Sequence, residues 1–289
     1  MSSAPPSLAA FSAALADLAR SAAPSLVELR SHRSRHSGFF WRPGLVVTAE
    51  EALADEETHA RFPDGSERPA TLVGRDPTTD VALLRVEGAD APPVTLDAAP
   101  AQLGSLAMAV GAGPTAQLGI VAHAGPAWRS MRGGEIDARI ELDLILRREA
   151  EGGLALDAEG RALGMAVFGP RRRTLVIPSA TIARVAEQLE RHGRVPRGWL
   201  GLALQPVRVD DGSGPAVMGM GVAQDGPAAR AGVRQGDVIT GWNGAPPARL
   251  DRLLRELGPA SIGRPLALTL RRGDGAVEVT ITVAERPER

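Results

Sequence analysis

The sequence predicts a mainly β chain in two domains, and three observations lead there. Short apolar runs recur from Ser25 onward, each bounded by Gly, Pro or Asp. Residues 179–191 have helical character, and Gly193 and Pro196 follow them as a break. The length of 289 residues suits about two ordinary domains.

The elements follow in order. Leu8, Phe11, Leu15 and Leu18 have helical spacing, and Pro24 ends that helix, giving an N-terminal helical segment over 1–24. Strands are expected at 26–29, 44–48, 70–73, 81–86, 106–110 and 118–122. Between them stand turn sequences such as Pro63-Asp64-Gly65 and Gly111-Ala112-Gly113-Pro114. Further strands are expected at 154–156, 162–167 and 174–177, and Ser179 is the expected N-cap of the helix that follows. Many short strands with Gly/Pro turns argue for a sandwich or barrel over 25–193. A second unit over 197–286 carries expected strands at 200–207, 216–222, 238–242, 266–271 and 277–283, with short helices at 227–231 and 250–257.

Composition narrows the function classes. The 33 basic and 34 acidic residues nearly cancel, which argues against nucleic acid as a dominant partner. Every basic residue is Arg, no Tyr is present, and aromatics make up 3%, so aliphatic side chains must fill the core. The absence of Cys excludes disulfides, thiolate nucleophiles and Cys-ligated zinc. Residues 1–22 lack a basic start, and Asp17 and Arg20 interrupt their apolar residues, unlike a secretory signal. No window reaches the roughly 18 apolar residues of a membrane span. The expectation is a soluble, cytoplasmic chain.

The second unit carries a specific pattern. Residues 226–239 read GPAARAGVRQGDVI, followed by Trp242-Asn243-Gly244, and residues 197–202 read RGWLGL. This resembles the PDZ domain of HtrA-type proteins, in which a Φ-G-Φ loop precedes the peptide-binding strand. The resemblance implies β-augmentation: a peptide C-terminus adds as a strand beside 202–205, its carboxylate held by main-chain N–H groups of Trp199, Leu200, Gly201 and Leu202. Leu250, Leu253 and Leu254 would help line the pocket for its last side chain. The alternative is a PDZ fold acting only as a spacer or gate, with Trp199 as core packing.

Three segments of the first unit are similar to the trypsin-like HtrA (DegP-type) serine proteases. Residues 46–51, VVTAEE, resemble the strand that ends on the general-base histidine; Glu51 stands at its place. Residues 73–86, VGRDPTTDVALLRV, match the segment of the base-orienting aspartate, with Asp80 at its place. Residues 140–155, IELDLILRREAEGGLA, resemble the nucleophile segment, with Glu151 at the serine and Glu149 at the oxyanion-hole glycine. The implied architecture is a trypsin-like double β-barrel followed by a PDZ domain. With two triad positions occupied by Glu, the expectation is a pseudoprotease with no catalytic residues and no cofactor. Of His32, His36, His59, His123 and His192, none stands in a catalytic motif, and ordinary packing is expected for them.

The clustered carboxylates Glu51, Asp80 and Glu151 need compensation. Arg147, Arg148 or solvation would supply it; otherwise a divalent cation held by the three, or acid–base use of Glu51 and Glu151. The functional expectation is therefore an inactive HtrA-like homologue that binds peptides or protein C-termini as adaptor, chaperone or regulator, with an active HtrA-type protease as one candidate partner. The alternatives are a scaffold assembling through the barrel, and a hydrolase or metal-binding protein using the carboxylates. The resemblance also implies a homotrimer built on the barrel, for which Phe11 is the early aromatic available.

Overall fold

A computed structural model describes residues 7–31, 34–53, 57–96, 100–113, 115–170, 173–208, 215–247, 249–273 and 275–287. His32 lies outside these residues. They divide into two compact units, Met1–Val195 and Pro196–Arg289.

The first unit opens with α1, Leu8–Ala22, capped by Ser7, whose hydroxyl accepts the Ala10 N–H at 3.2 Å. Leu15 and Leu18 pack on the core, whereas Leu8 and Phe11 are exposed. Six strands then close a barrel in the order β1-β2-β3-β6-β5-β4. They are β1 (Leu26–Arg30), β2 (Arg35–Arg42), β3 (Leu45–Thr48), β4 (Thr58–Arg61), β5 (Glu67–Asp76) and β6 (Val81–Arg85). A second closed barrel runs β11-β14-β13-β12-β7-β8. Its strands are β7 (Leu106–Gly111), β8 (Thr115–Gly125), β11 (Arg139–Asp143), β12 (Leu154–Asp157), β13 (Ala162–Phe168) and β14 (Thr174–Pro178), and a small ribbon of β9 (Trp128–Arg129) and β10 (Glu135–Ile136) interrupts the sequence.

Burial on both faces explains the unbroken apolar runs. On β3, Val46 joins the core of the first barrel with Leu29 and Phe40. Its neighbours Leu45 and Val47 turn the other way, into a cluster shared with Met108, Leu154 and Ile182. The second barrel has its own core, in which Ala107, Ala109, Ala155 and Ala166 sit among larger aliphatics. Helix α2, Ser179–His192, buries Ile182, Val185 and Leu189 and ends at Gly193 with φ 69°. Gly74 must be a glycine here, because a Cβ would stand 2.2 Å from the Gly193 carbonyl oxygen. The expected N-cap shifts by one residue: Pro178 caps α2, and the Ser179 hydroxyl donates to the Ala162 carbonyl at 2.6 Å.

The second unit holds a five-stranded sheet of order β16-β17-β18-β19-β20. After β15 (Gly198–Trp199) come β16 (Leu202–Arg208), β17 (Pro215–Val222), α3 (Pro227–Arg230), β18 (Val238–Trp242), α4 (Leu250–Glu256), β19 (Pro265–Arg272) and β20 (Gly275–Thr282). Strand β21 (Ala284–Glu285) closes a ribbon with β15. Leu200, Ile239, Trp242, Leu253, Leu268 and Ile281 are buried in its core. The observed architecture is the expected one, two six-stranded barrels and a PDZ fold.

Candidate functional site

The tight turn after β5 places Asp80 in the left-handed region, with φ 58°, a conformation that Asp tolerates better than most residues. Its carboxylate accepts the Glu51 N–H at 2.8 Å, and its carbonyl accepts the Glu50 N–H at 3.3 Å. The ends of β3 and β5 are thereby held together. Burial pushes the Asp80 carboxyl up to about 7; the Glu51 N–H opposes this, and the charges of Glu51, Glu151 and Glu50 reinforce it. Burial likewise raises Glu151 to about 7, against the pull of Arg148 and of the Phe168 N–H, which donates to its carboxylate; Glu51 adds repulsion. Asp80, Glu51 and Glu151 thus share one cleft. Carboxyl groups titrating near neutrality can take up and release protons at working pH.

The segment before Glu151 forms a tight turn, Arg148–Ala150. The Glu151 N–H donates to the Arg148 carbonyl at 3.2 Å, and the Ala150 N–H to the Arg147 carbonyl at 2.9 Å. Glu149 is exposed, and its carboxylate is not among the charges acting on Asp80 or Glu151. Its carbonyl instead accepts the Ser37 hydroxyl at 2.5 Å.

Ser37 carried no motif in the sequence, yet it joins four segments. Its hydroxyl accepts the Ala112 N–H at 2.9 Å, its own N–H donates to the Glu151 carbonyl at 2.8 Å, and its carbonyl accepts the Thr48 hydroxyl at 2.7 Å. Compensation also differs from expectation. Arg132 reaches Glu51 at 3.1 Å and Glu50 at 3.7 Å, and Arg75 reaches Glu50 at 3.6 Å. Of the two expected arginines, only Arg148 acts on the buried pair, through Glu151. Among the described residues no group of three or more His, Asp or Glu is disposed to hold a metal. That geometry gives the cation reading of Glu51, Asp80 and Glu151 no support.

In the second unit, β16 is an edge strand with α4 beside it. Gly201 has φ 75°, and a Cβ there would stand 3.0 Å from the Gly226 Cα. The Ala223 N–H donates to the Gly201 carbonyl at 2.8 Å, a bond that flanks the Leu202–Val222 pair at the start of the ladder. That pair is then an unbonded rung, and the Leu202 N–H turns to the open edge. Among the described residues no acceptor takes the N–H of Leu200 or Gly201. Trp199 is half-buried and pairs with Ala284 in the β15–β21 ribbon. Leu250 and Leu202 are half-buried beside the groove, and Leu254 is 54% exposed. Leu253 departs from its expected place, being 1% exposed: with the spacing of α4 it turns inward and forms core beneath the groove.

Two family models match, one described as trypsin-like peptidase domain over residues 36–165 and one as PDZ domain over 198–283. Among curated proteins, a probable periplasmic serine endoprotease DegP-like of Brucella suis biovar 1 (strain 1330) is 34% identical over 269 residues, covering 84% of this chain and 51% of that protein. The chain carries an HtrA/DegP-type protease domain and a PDZ domain.

A similarly named protein of Pseudomonas putida (strain W619) is 31% identical, covering 90% of this chain and 57% of its own length. The HtrA-type chain thus spans about half the length of the curated relatives it matches. Among solved structures, the HtrA-type protease AlgW with decapeptide superposes with a TM-score of 0.74 at 25% identity, covering 95% of this chain and 99% of that one. The serine endoprotease from Yersinia pestis gives 0.74 at 25% identity, covering 99% and 100%.

These findings overturn two expectations. The chain is not to be set apart as a non-enzyme, because its relatives are named serine endoproteases over nearly the whole HtrA-type chain. The cytoplasmic expectation also falls, since the relatives are named periplasmic.

Proposed function

We propose that the PDZ domain of this HtrA-type chain captures protein C-termini that end in an apolar residue, and that it does so in the periplasm. The observation that carries this reading is the row of N–H groups at Leu200, Gly201 and Leu202, without an acceptor among the described residues, at the head of an open strand edge. Such a row accepts a carboxylate, and the edge of β16 accepts the peptide behind it as an added strand. Leu202, Leu250 and Leu254 offer apolar surface to the last side chain. Capture would bring a substrate or regulator chain to a trypsin-like domain of an endoprotease family, in which Glu51, Asp80 and Glu151 stand at the triad positions and Glu149 at the oxyanion-hole glycine.

Isothermal titration with one peptide, made as the free acid and as the amide, tests the reading. Hydrogen bonds to a charged group are worth about 1.5–3 kcal/mol, so the amide should bind at least about 10-fold more weakly. Equal binding of the two would sink the carboxylate mechanism.

A further inference from the structure

The trypsin-like domain carries a concavity apart from the cleft, of about 680 Å³, between the end of α1, the β4–β5 turn and the β7–β8 hairpin. That volume lies within the usual range of small-molecule sites, about 300–1,000 Å³. Leu26, Phe62, Val110 and Ala116 give it apolar walls, and Arg20 and Arg61 line it as well. Glu28 also lines it, but the Arg30 guanidinium takes its carboxylate at 2.8 Å. Arg61 reaches Glu67 only at 3.9 Å, and the Arg20–Asp17 pair is largely exposed and so weak. Two guanidinium groups, each only weakly paired, thus share the lining with apolar side chains.

One wall is connected to the cleft. Ala112 lines the pocket and donates its N–H to the Ser37 hydroxyl at 2.9 Å. That hydroxyl donates in turn to the Glu149 carbonyl at 2.5 Å, and the Ser37 N–H holds the Glu151 carbonyl at 2.8 Å. No room separates these segments: a Cβ on Gly111 would stand 2.8 Å from the Ala150 Cα and 2.9 Å from the Ser37 hydroxyl oxygen. A shift of the pocket wall must therefore move either Ser37 or the turn before Glu151.

We propose that this pocket binds an amphipathic anion, an apolar chain or ring bearing a carboxylate or phosphate, and that its occupation is passed to the cleft turn through Ala112 and Ser37. The apolar part lies against Leu26, Phe62 and Val110, and the head group meets Arg20 and Arg61. A ligand that fits one arrangement of the wall better than another shifts the cleft turn by that difference in affinity.

Titration of the full chain with decanoate, decyl phosphate, decanol and decyltrimethylammonium tests the binding half. The anions should bind at least about 10-fold more tightly than decanol, with no binding of the cation; the tighter anion identifies the head group. Arg20→Glu with Arg61→Glu should remove that preference. Ala116→Trp, on an exposed wall, should block every probe. Equal binding of decanol or of the cation, or unchanged binding by Ala116→Trp, overturns the site. For transmission, the ¹³C carboxyl resonance of Glu151 should move when the anion binds to the wild type. A fixed resonance under saturating ligand overturns the relay, and loss of the movement in Ser37→Ala assigns its route.

Discussion

In the cleft of the trypsin-like domain the Glu151 N–H is bonded to Arg148 and the Phe168 N–H to the Glu151 carboxylate; in the PDZ groove the N–H groups of Leu200, Gly201 and Leu202 stand open among the described residues. The cleft satisfies its polar groups from within, through Ser37, Arg132 and the tight turn at 148–150. The groove leaves a row of donors and a strand edge for something else to complete. Unmet donors on a rigid frame mark a place ready for a ligand, whereas internally met ones mark a place whose state depends on its own titration and packing.

The largest expected effect breaks the groove. Gly201→Val forces a β-branched residue into a left-handed conformation, next to a Gly226 Cα that a Cβ would already crowd at 3.0 Å. Affinity for a free C-terminus should fall at least about 30-fold by titration, from a strain of about 2 kcal/mol. Unchanged binding would show that the loop does not hold the carboxylate.

Next in size is Ser37→Ala in the cleft. The Ala112 N–H and the Glu149 carbonyl both lose a buried partner, at about 1–3 kcal/mol. The melting temperature should drop by roughly 3–8 °C. Peptide binding at the groove should stay unchanged, which separates the two regions.

The pH dependence sharpens the same contrast. Asp80 and Glu151 have folded-state values near 7, above their unfolded ones, so their contribution is fully present below about 4 and lost as pH rises through 7. His36 has the opposite sign. It is 2% exposed, neither ring nitrogen has a partner among the described residues, and burial lowers it to about 4. Its contribution is present above 6.5 and lost as pH falls through 4. The two carboxyls together outweigh the one imidazole, so thermal melts should show stability rising as pH falls from 8 toward 4. Glu151→Gln should raise the melting temperature at pH 8 by about 2–5 °C and flatten that rise, whereas His36→Leu should steepen it. A melting temperature indifferent to both substitutions would mean that these groups are solvated.

The smallest effect is Arg132→Ala. Its pairs with Glu50 and Glu51 involve a side chain that is 53% exposed, so at most about 1 kcal/mol is at stake. A melting temperature within about 3 °C of wild type is expected at moderate salt.

The alternation of apolar runs with Gly and Pro turns made the β class readable, because short-range patterns report local structure directly. The motif at 226–239 did the same for the PDZ fold, since its glycines sit where backbone geometry requires them, as at Gly232 and Gly236 with φ 84° and 90°. Strand β2 is not legible in the sequence for an equally local reason: His36 and Ser37 open a segment buried on both faces, so no polar alternation marks it. Other features need residues far apart in the chain. Ser37 and Glu149 are 112 positions apart, and only barrel closure brings the hydroxyl to that carbonyl. The pairing of Arg132 with Glu51, the reach of Phe168 to Glu151 and the inward turn of Leu253 likewise arise from tertiary packing. Which segments become strands, and which motif frames the groove, follow from periodicity and backbone allowance and are local properties of the chain. The tertiary structure decided which donors remain open and which are already engaged, because hydrogen-bond partners are set by which distant segments close against one another.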